Sequence, residues 1–170
     1  QHGDIAVCHN GNLPFAEVRR RELEKQGAIF SSTSDTETIL HDIARTPAAN
    51  ATEAIQKVLG KTDGAYSLLF LTPKSLIAVR DARGFRPLVL GKVQDAWCVA
   101  SETCAFDLID AEYIREVEPG EMLAVLGPND GDVMLLAPDG FTAQATIDEA
   151  GQENAAGMFS SVAGVPPEQL

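Results

Sequence analysis

Beyond Gly60 the apolar residues of this chain change from a helical period to short runs, and this change sharply limits the folds open to it. Residues 64–71 are nearly continuously apolar, which is typical of a β-strand covered on both faces. Shorter runs follow between turn-forming residues, at positions 76–79, 88–90, 97–100 and 122–126. Short links favour antiparallel neighbours. The sequence therefore predicts an α+β fold with antiparallel strands and helices packed on them.

Three helices are predicted before this change of period. The first would place Phe15, Val18 and Leu23 on its inward face and charged residues on the other. The third has Asn50 or Thr52 as its N-cap, with apolar residues at helical spacing after it. Both patterns indicate amphipathic helices that pack on the sheet.

The second helix is preceded by Ser34-Asp35-Thr36-Glu37. Ser34 and Glu37 stand three positions apart in front of a helical apolar spacing, which is the pattern of a capping box. Helix capping is therefore the ordinary role for Asp35, because the dipole at a helix start stabilises an acidic side chain. The functional alternative is that Asp35 presents its carboxylate to the ammonium group of a ligand in a charge-assisted hydrogen bond.

A short predicted strand, residues 4–8, ends at His9-Asn10-Gly11-Asn12. Asn-Gly is favoured in tight turns because both residues tolerate positive φ, so a turn is the ordinary interpretation. The same geometry can point the Asn10 side-chain amide and the Gly11 backbone N–H at one place, where they would form an oxyanion hole. Asn10 and Gly11 are therefore candidate catalytic residues.

Charged residues surround Gly84 in a predicted loop between strands: Arg80, Asp81, Arg83 and Arg86. Their alternating signs predict exposed ion pairs worth under about 1 kcal/mol each. The three histidines of the chain lack the spacing of a metal site and are predicted to be structural or solvent-facing. No metal site is predicted.

The charge balance argues against two classes of partner. Thirteen Lys and Arg against 25 Asp and Glu give a formal net charge of -12, which repels nucleic-acid phosphates and anionic lipids. No apolar run approaches the roughly 20 residues that span a bilayer. Three cysteines without paired spacing predict buried free thiols. We therefore expect a cytoplasmic protein that binds neither nucleic acid nor membranes.

Three short motifs occur in order along the chain: His9–Leu13, Ser34–Glu37 and Gly64–Ser67. Each is common alone, but the ordered set resembles the class II glutamine amidotransferases. Two later stretches, Arg80–Gly91 and Ala100–Asp107, narrow the resemblance to the amidophosphoribosyltransferase family.

The resemblance implies a fold, a division of the chain and a set of site residues. The fold is the four-layer αββα sandwich of the amino-terminal-nucleophile hydrolases, with antiparallel sheets. Residues 1–126 would form a class II glutamine amidotransferase domain that is incomplete at its amino terminus, and residues 127–170 an acidic tail rich in Gly, Ala and Pro with no assigned role. By the same resemblance, Asn10 and Gly11 supply the oxyanion hole for glutamine hydrolysis, and Asp35 holds the α-amino group of glutamine.

The implied function is the glutaminase half of an amidophosphoribosyltransferase, which supplies ammonia from glutamine to phosphoribosyl pyrophosphate in the first step of purine biosynthesis. No cofactor is expected within these residues. The resemblance places Mg²⁺ in a separate phosphoribosyltransferase domain, allows an iron-sulfur cluster in the parent enzyme, and implies that the parent is a homo-oligomer.

The nucleophile of the family is a cysteine at the mature amino terminus, whose free amine can act as the base. Position 1 of this sequence is Gln1, and Cys8 lies within a predicted strand. We therefore expect these 170 residues alone to hydrolyse no glutamine.

Two other functions stay open at this stage. Another class II amidotransferase, of the glucosamine-6-phosphate or asparagine synthase type, would share the motifs at 9–12 and 34–37, although Ala100–Asp107 argues against it. A non-catalytic binding module would keep the wall of the pocket without the nucleophile.

Overall fold

The structure is a computed structural model that describes residues 3–73, 75–94, 96–126 and 133–136. Within these ranges the chain forms eight strands and four helices. In chain order they are β1 (Ala6–Asn12), α1 (Ala16–Lys25), α2 (Thr36–Arg45), α3 (Ala51–Leu59), β2 (Ala65–Leu71), β3 (Ser75–Arg80), β4 (Val89–Val93), β5 (Ala96–Ala100), α4 (Cys104–Asp107), β6 (Glu112–Glu116), β7 (Met122–Leu126) and β8 (Val133–Leu136).

Five of the strands form one sheet in the order β1-β2-β3-β7-β8, and every neighbouring pair is antiparallel. The predicted α+β class with antiparallel strands is therefore confirmed. β8 pairs with β7, so the sheet continues past position 126, where the sequence placed the end of the domain. The rest of the predicted acidic tail, 127–132 and 137–170, lies outside the described residues.

β2 is covered on both faces, as its apolar run predicted. Tyr66, Leu68 and Phe70 alternate along the strand, are at most 1% exposed, and belong to the core beneath the helices. The Tyr66 hydroxyl donates to the Thr62 carbonyl just after α3. On the opposite face, the Ser67 hydroxyl donates to the Pro87 carbonyl at 2.9 Å, next to the second sheet.

The second sheet has three antiparallel strands in the order β5-β4-β6. Leu88 and Leu90 join the common core, while Gly91 faces the other way and packs under Phe106 of α4. A Cβ at Gly91 would lie 2.7 Å from the Phe106 ring, so the short helix sits directly on the strand. The layers are thus helices α1 to α3, two sheets, and α4.

The prediction for α1 is wrong in part. Leu23 is fully buried, but Phe15 precedes the helix and is 64% exposed, and Val18 is 57% exposed. An α-helix turns by about 100° per residue, which puts Val18 and Leu23 roughly 140° apart around the axis. Two residues so separated cannot both face a single neighbour, and Leu23 takes the inward position.

The capping box predicted before α2 is also wrong. The Glu37 carboxylate accepts hydrogen bonds from the Ser31 and Ser32 N–H groups at 2.7 and 2.8 Å. It does not reach back to Ser34, whose N–H donates to the Ser32 hydroxyl instead. The serine loop, residues 31–34 before the helix, offers closer donors, and these bind the Glu37 carboxylate that a capping box needs.

At α3 the choice between two caps is resolved. The Asn50 side chain accepts from the Glu53 N–H at 2.9 Å, so Asn50 is the N-cap. β6 was not predicted, because it is an edge strand that carries three charged residues among its five and stays largely exposed. The expectation of buried thiols is wrong for Cys8 and Cys104, which are exposed, whereas Cys98 is half-buried.

Candidate active site

Gly11 directs its backbone polar groups away from the sheet. It lies opposite Tyr66 in the β1–β2 pairing. The Tyr66 carbonyl accepts from the Asp81 N–H at 2.9 Å and the Tyr66 N–H donates to Asp81 Oδ2, both on the β3 side of the strand. Because peptide groups alternate in direction across an antiparallel pair, Gly11 is not hydrogen-bonded to Tyr66. The register therefore leaves its N–H on the outer side of β1, away from β2.

No side chain fits at Gly11. Its φ is +149°, and a Cβ there would lie 2.0 Å from the Ala65 carbonyl oxygen and 2.8 Å from Tyr66 Cα. Both contacts are with backbone, which cannot give way as a flexible side chain can. Glycine is thus required by a close approach between the two strands as well as by its conformation.

A cleft of about 540 Å³ runs beside this outer edge of β1. One wall is formed by alternate residues of the strand, Val7, His9 and Gly11. The other wall is formed by the serine loop and the first turns of α2, including Asp35. The cleft therefore brings the face of β1 that carries His9 and Gly11 next to the Asp35 carboxylate.

Asp35 occupies the N-cap position of α2, but its side chain does not cap the helix. Its side chain makes no capping hydrogen bond, and instead Oδ2 accepts from the Leu13 N–H at 3.1 Å. Oδ1 accepts from the Thr36 hydroxyl at 3.1 Å and lies 3.4 Å from His9 Nδ1. The side chain is 28% exposed, so one part of it faces the cleft. The helix-capping role that the sequence suggested for the Asp35 side chain is therefore wrong.

These contacts also set the charge of Asp35. Partial burial raises the pKa of the carboxyl, but the Leu13 N–H, the nearby His9 and the Thr36 hydroxyl outweigh it. The pKa of Asp35 is therefore below its ordinary value. The group is a carboxylate at neutral pH and can accept a cation.

His9 is the neighbour of Asp35 that sequence reasoning passed over. Its side chain is only 6% exposed, and Nδ1 lies 2.9 Å from the Thr36 hydroxyl. Among the described residues, Nε2 is buried without a hydrogen-bond partner. The alternation of a strand could have given the signal, since position 9 shares a face with Val7 and Gly11.

The Asn10 side chain lies on the opposite face of β1 from His9. Its Nδ2 donates to the Ser101 hydroxyl at 3.0 Å, and its Oδ1 accepts from an Arg86 guanidinium nitrogen. Gly11 and Asp35 thus share the cleft, whereas Asn10 lies behind the same edge and next to Gly11 in the chain. Arg86 and Ser101 are site neighbours that lie in the stretches Arg80–Gly91 and Ala100–Asp107, but the sequence assigned neither of them a role at the site.

The expected exposed ion pairs around Gly84 are only partly present. Arg83 pairs with Asp63 on the surface at 2.7 Å. Arg80 and Asp81 are instead buried, at 8% and 1% exposure. Asp81 accepts from backbone N–H groups of the loop that follows it, so the loop is organised around a buried carboxylate.

The described residues lack a metal-binding cluster and a membrane-spanning helix. They contain no group of three or more His, Cys, Asp or Glu side chains placed to hold a metal ion. None of their helices has both the length and the apolar character needed to cross a membrane.

Residues 1–107 match the model of a protein family described as a glutamine amidotransferase domain. The chain belongs to that family. Its similar curated relatives are amidophosphoribosyltransferases, as the sequence motifs indicated. The Bacillus subtilis relative is 46% identical over 124 residues, which are 73% of this chain and 26% of the relative. The chloroplastic amidophosphoribosyltransferase 1 of Arabidopsis thaliana is 51% identical over 124 residues, 72% of this chain and 22% of the relative.

Solved structures give the same result for the fold. Glutamine phosphoribosylpyrophosphate amidotransferase from B. subtilis, complexed with ADP and GMP, superposes with a TM-score of 0.71 at 46% identity. The match covers 73% of this chain and 27% of that one. The predicted amino-terminal-nucleophile hydrolase fold is therefore confirmed, and the chain spans about a quarter of the length of the relatives it matches.

Proposed function

We propose that this chain is the glutaminase half of an amidophosphoribosyltransferase, which hydrolyses glutamine and passes the ammonia to phosphoribosyl pyrophosphate in the first step of purine biosynthesis. The observation that carries the proposal is the Asp35 carboxylate, which is free of capping and lies in one cleft with the outer edge of β1. The names of the relatives support the particular reaction.

Asp35 binds the α-ammonium group of glutamine in this proposal. A carboxylate has about four acceptor positions, and protein hydrogen bonds from Leu13 and Thr36 use two of them. The lowered pKa keeps the group charged, so its bond to an ammonium is charge-assisted. Because Asp35 lines the cleft, one side of its carboxylate is accessible to the ammonium group.

Asn10 and Gly11 stabilise the oxyanion that forms when the side-chain amide of glutamine is attacked. The β1–β2 register leaves the Gly11 N–H on the outer side of β1, and the Asn10 amide belongs to the preceding residue. A glutamine lying across the outer edge of β1 would meet Asp35 with its ammonium group and these two donors with its amide. Donors fixed in advance at the position of the developing charge lower the barrier, because they need no reorganisation during the reaction.

The nucleophile expected from the family is a cysteine with a free α-amine. Cys8 does not fit this role, since it lies inside β1 and its nitrogen belongs to a peptide bond. Cys98 lies in β5 and Cys104 begins α4, both on the second sheet. We assign the nucleophile to none of the three.

The wider parts of the proposal concern partners and location. Phosphoribosyl pyrophosphate and Mg²⁺ would bind a separate phosphoribosyltransferase domain, in a homo-oligomeric parent. The length of the relatives, about four times that of the matched region, supports a second functional region. The bacterial relatives and the net charge of -12 support action in the cytoplasm rather than at an anionic membrane surface.

The test is Asp35→Asn in the full-length protein that contains this chain. Loss of a charged hydrogen bond worth about 1.5 to 3 kcal/mol should lower kcat/KM for glutamine roughly ten- to a hundredfold. Phosphoribosylamine formation from free ammonia should continue in the same preparation, because it bypasses the cleft. Asp63→Asn is the matched control, since Asp63 is an exposed partner of Arg83.

Asparagine is itself a good capping residue, so a side chain that only capped α2 would tolerate the change. Equal losses of the glutamine-dependent and ammonia-dependent rates, with a lower melting temperature, would show that Asp35 supports the fold and not the substrate. An unchanged kcat/KM for glutamine would remove Asp35 from the site.

A further inference from the structure

We propose that Arg86 is a positioning residue that sets the orientation of the Asn10 amide and so decides which of its two ends faces the reacting carbonyl. The inference rests on the proposed function, in which Asn10 is an oxyanion donor. It concerns a residue in the loop between β3 and β4, 76 positions away from Asn10 in the chain.

The chemistry of the two side chains makes the contact directional. A primary amide has a donor end and an acceptor end of almost the same shape, and it can rotate to exchange them. A guanidinium only donates, so the amide end next to Arg86 must be the oxygen. Arg86 does donate to Asn10 Oδ1, and Nδ2 is thereby turned toward the Ser101 hydroxyl at 3.0 Å.

Ser101 cannot fix the orientation by itself. A hydroxyl both donates and accepts, so it would hydrogen-bond to either end of the amide. Within the described part of the chain, Ser101 is the one partner of Nδ2, which leaves the second N–H of that nitrogen for a ligand. In the opposite orientation an amide oxygen would face the oxyanion and repel it.

Three hydrogen bonds hold the backbone at Arg86 and the next residue. Its N–H donates to Asp81 Oδ2 at 3.3 Å, and its carbonyl accepts from Arg80 Nε at 2.9 Å. The next residue, Pro87, accepts from the Ser67 hydroxyl at 2.9 Å.

Ser67 is also the residue directly opposite Asn10 in the β1–β2 pairing. The loop is therefore anchored to the same rung of the sheet that carries the amide. Arg80 and Asp81, which hold the loop, are themselves buried. This gives the guanidinium a defined position relative to Asn10, which a mobile surface arginine would not have.

The experiment uses the full-length protein with Arg86→Met, Arg86→Lys, Asn10→Ala and the double variant Asn10→Ala with Arg86→Met. Asn10→Ala should lower glutaminase kcat roughly a hundred- to a thousandfold, as expected for loss of an oxyanion donor. Arg86→Met should lower kcat roughly ten- to a hundredfold, as expected for loss of a charge-assisted hydrogen bond, with KM for glutamine unchanged. Arg86→Lys, which also only donates, should retain most of the rate.

The double variant separates a positioning role from a structural one. If Arg86 acts through Asn10, it should lose no more rate than Asn10→Ala alone, because the amide to be oriented is already gone. Additive losses would overturn the inference. Arg83→Met is the matched control: it removes an arginine from the same loop whose side chain pairs only with exposed Asp63 among the described residues, and kcat should not change.

The remaining outcomes distinguish this inference from the proposed function. A normal kcat in Arg86→Met, together with a large loss in Asn10→Ala, would overturn the role of Arg86 and leave the function intact. A normal kcat in Asn10→Ala would overturn the oxyanion role of Asn10, and the role of Arg86 with it. A loss in Arg86→Met that Arg86→Lys shares in full would contradict orientation by a donor.

Discussion

Replacing Gly11 by alanine should affect both the stability of the sheet and the proposed oxyanion hole. The added Cβ would lie 2.0 Å from the Ala65 carbonyl oxygen, whereas an ordinary contact begins at 3.4 Å, so the strands must separate locally by about 1.4 Å. Overpacking of this kind costs about 1 to 3 kcal/mol. A φ that is essentially restricted to glycine adds about 1 to 3 kcal/mol. The free energy of unfolding should fall by about 2 to 6 kcal/mol in total.

Urea unfolding of the full-length protein and its variants would measure this loss. Gly27→Ala is the control, because Gly27 also has a positive φ, of +86°, but a Cβ there meets nothing within 4 Å. It should show the cost of the backbone conformation without the clash. Glutaminase kcat should fall in Gly11→Ala and not in Gly27→Ala, since only the first moves an oxyanion donor.

The reasoning would be refuted by equal stabilities of Gly11→Ala and Gly27→Ala. That result would mean that the two strands separate at no cost, and that the close approach between Gly11 and Ala65 does not constrain the edge of the sheet.

Two further predictions concern buried or partly buried carboxylates. Asp35 has a pKa below its unfolded value, so its contribution to stability is present above the unfolded pKa and is lost as pH falls through the folded pKa. The difference in urea midpoint between the wild type and Asp35→Asn should therefore shrink in acid. A difference that stays constant with pH would contradict this. Asp81→Ala leaves the four backbone N–H groups of Tyr66, Arg83, Phe85 and Arg86 without their acceptor. Because each unsatisfied donor costs about 1 to 3 kcal/mol, urea unfolding should show that the free energy of unfolding falls by at least about 3 kcal/mol. Asp63→Ala should change it little.

β2 could be predicted because burial leaves a direct mark on composition, whereas the strand predicted at 4–8 continues through Asn12 as β1, and β8 was not predicted. β2 is apolar along its length since both faces are covered, and the run from Tyr66 to Phe70 shows it. β6 left no such mark, because an exposed edge strand is free to carry charged residues. In α1 the error had a geometric cause, since Val18 is apolar but lies too far around the helix from Leu23 to be buried with it.

The candidate site was predictable only where its residues are close in sequence. Asn10 and Gly11 are adjacent, and Asp35 lies in a recognisable motif, so the sequence could name them. The contacts that decide their roles are distant: Asp35 with Leu13, and Asn10 with Arg86 and Ser101. Whether the Glu37 carboxylate bonds to Ser34 or to the preceding serines depends on the geometry of the loop, which a capping pattern in the sequence does not specify.

The link from Asn10 to Arg86 and Ser101 also bears on how the chain folds. These contacts close loops of 76 and 91 residues, among the longest separations joined by a hydrogen bond within the described part of the chain. Such contacts carry a large entropic cost of loop closure and form after local structure, so helices α1 to α3 and the β2–β3 hairpin should be in place first. A chain that has reached only this stage has the Asp35 motif but an unoriented Asn10 amide. The Asn10 amide should therefore reach its final orientation in the last cooperative step of folding, later than most of the secondary structure.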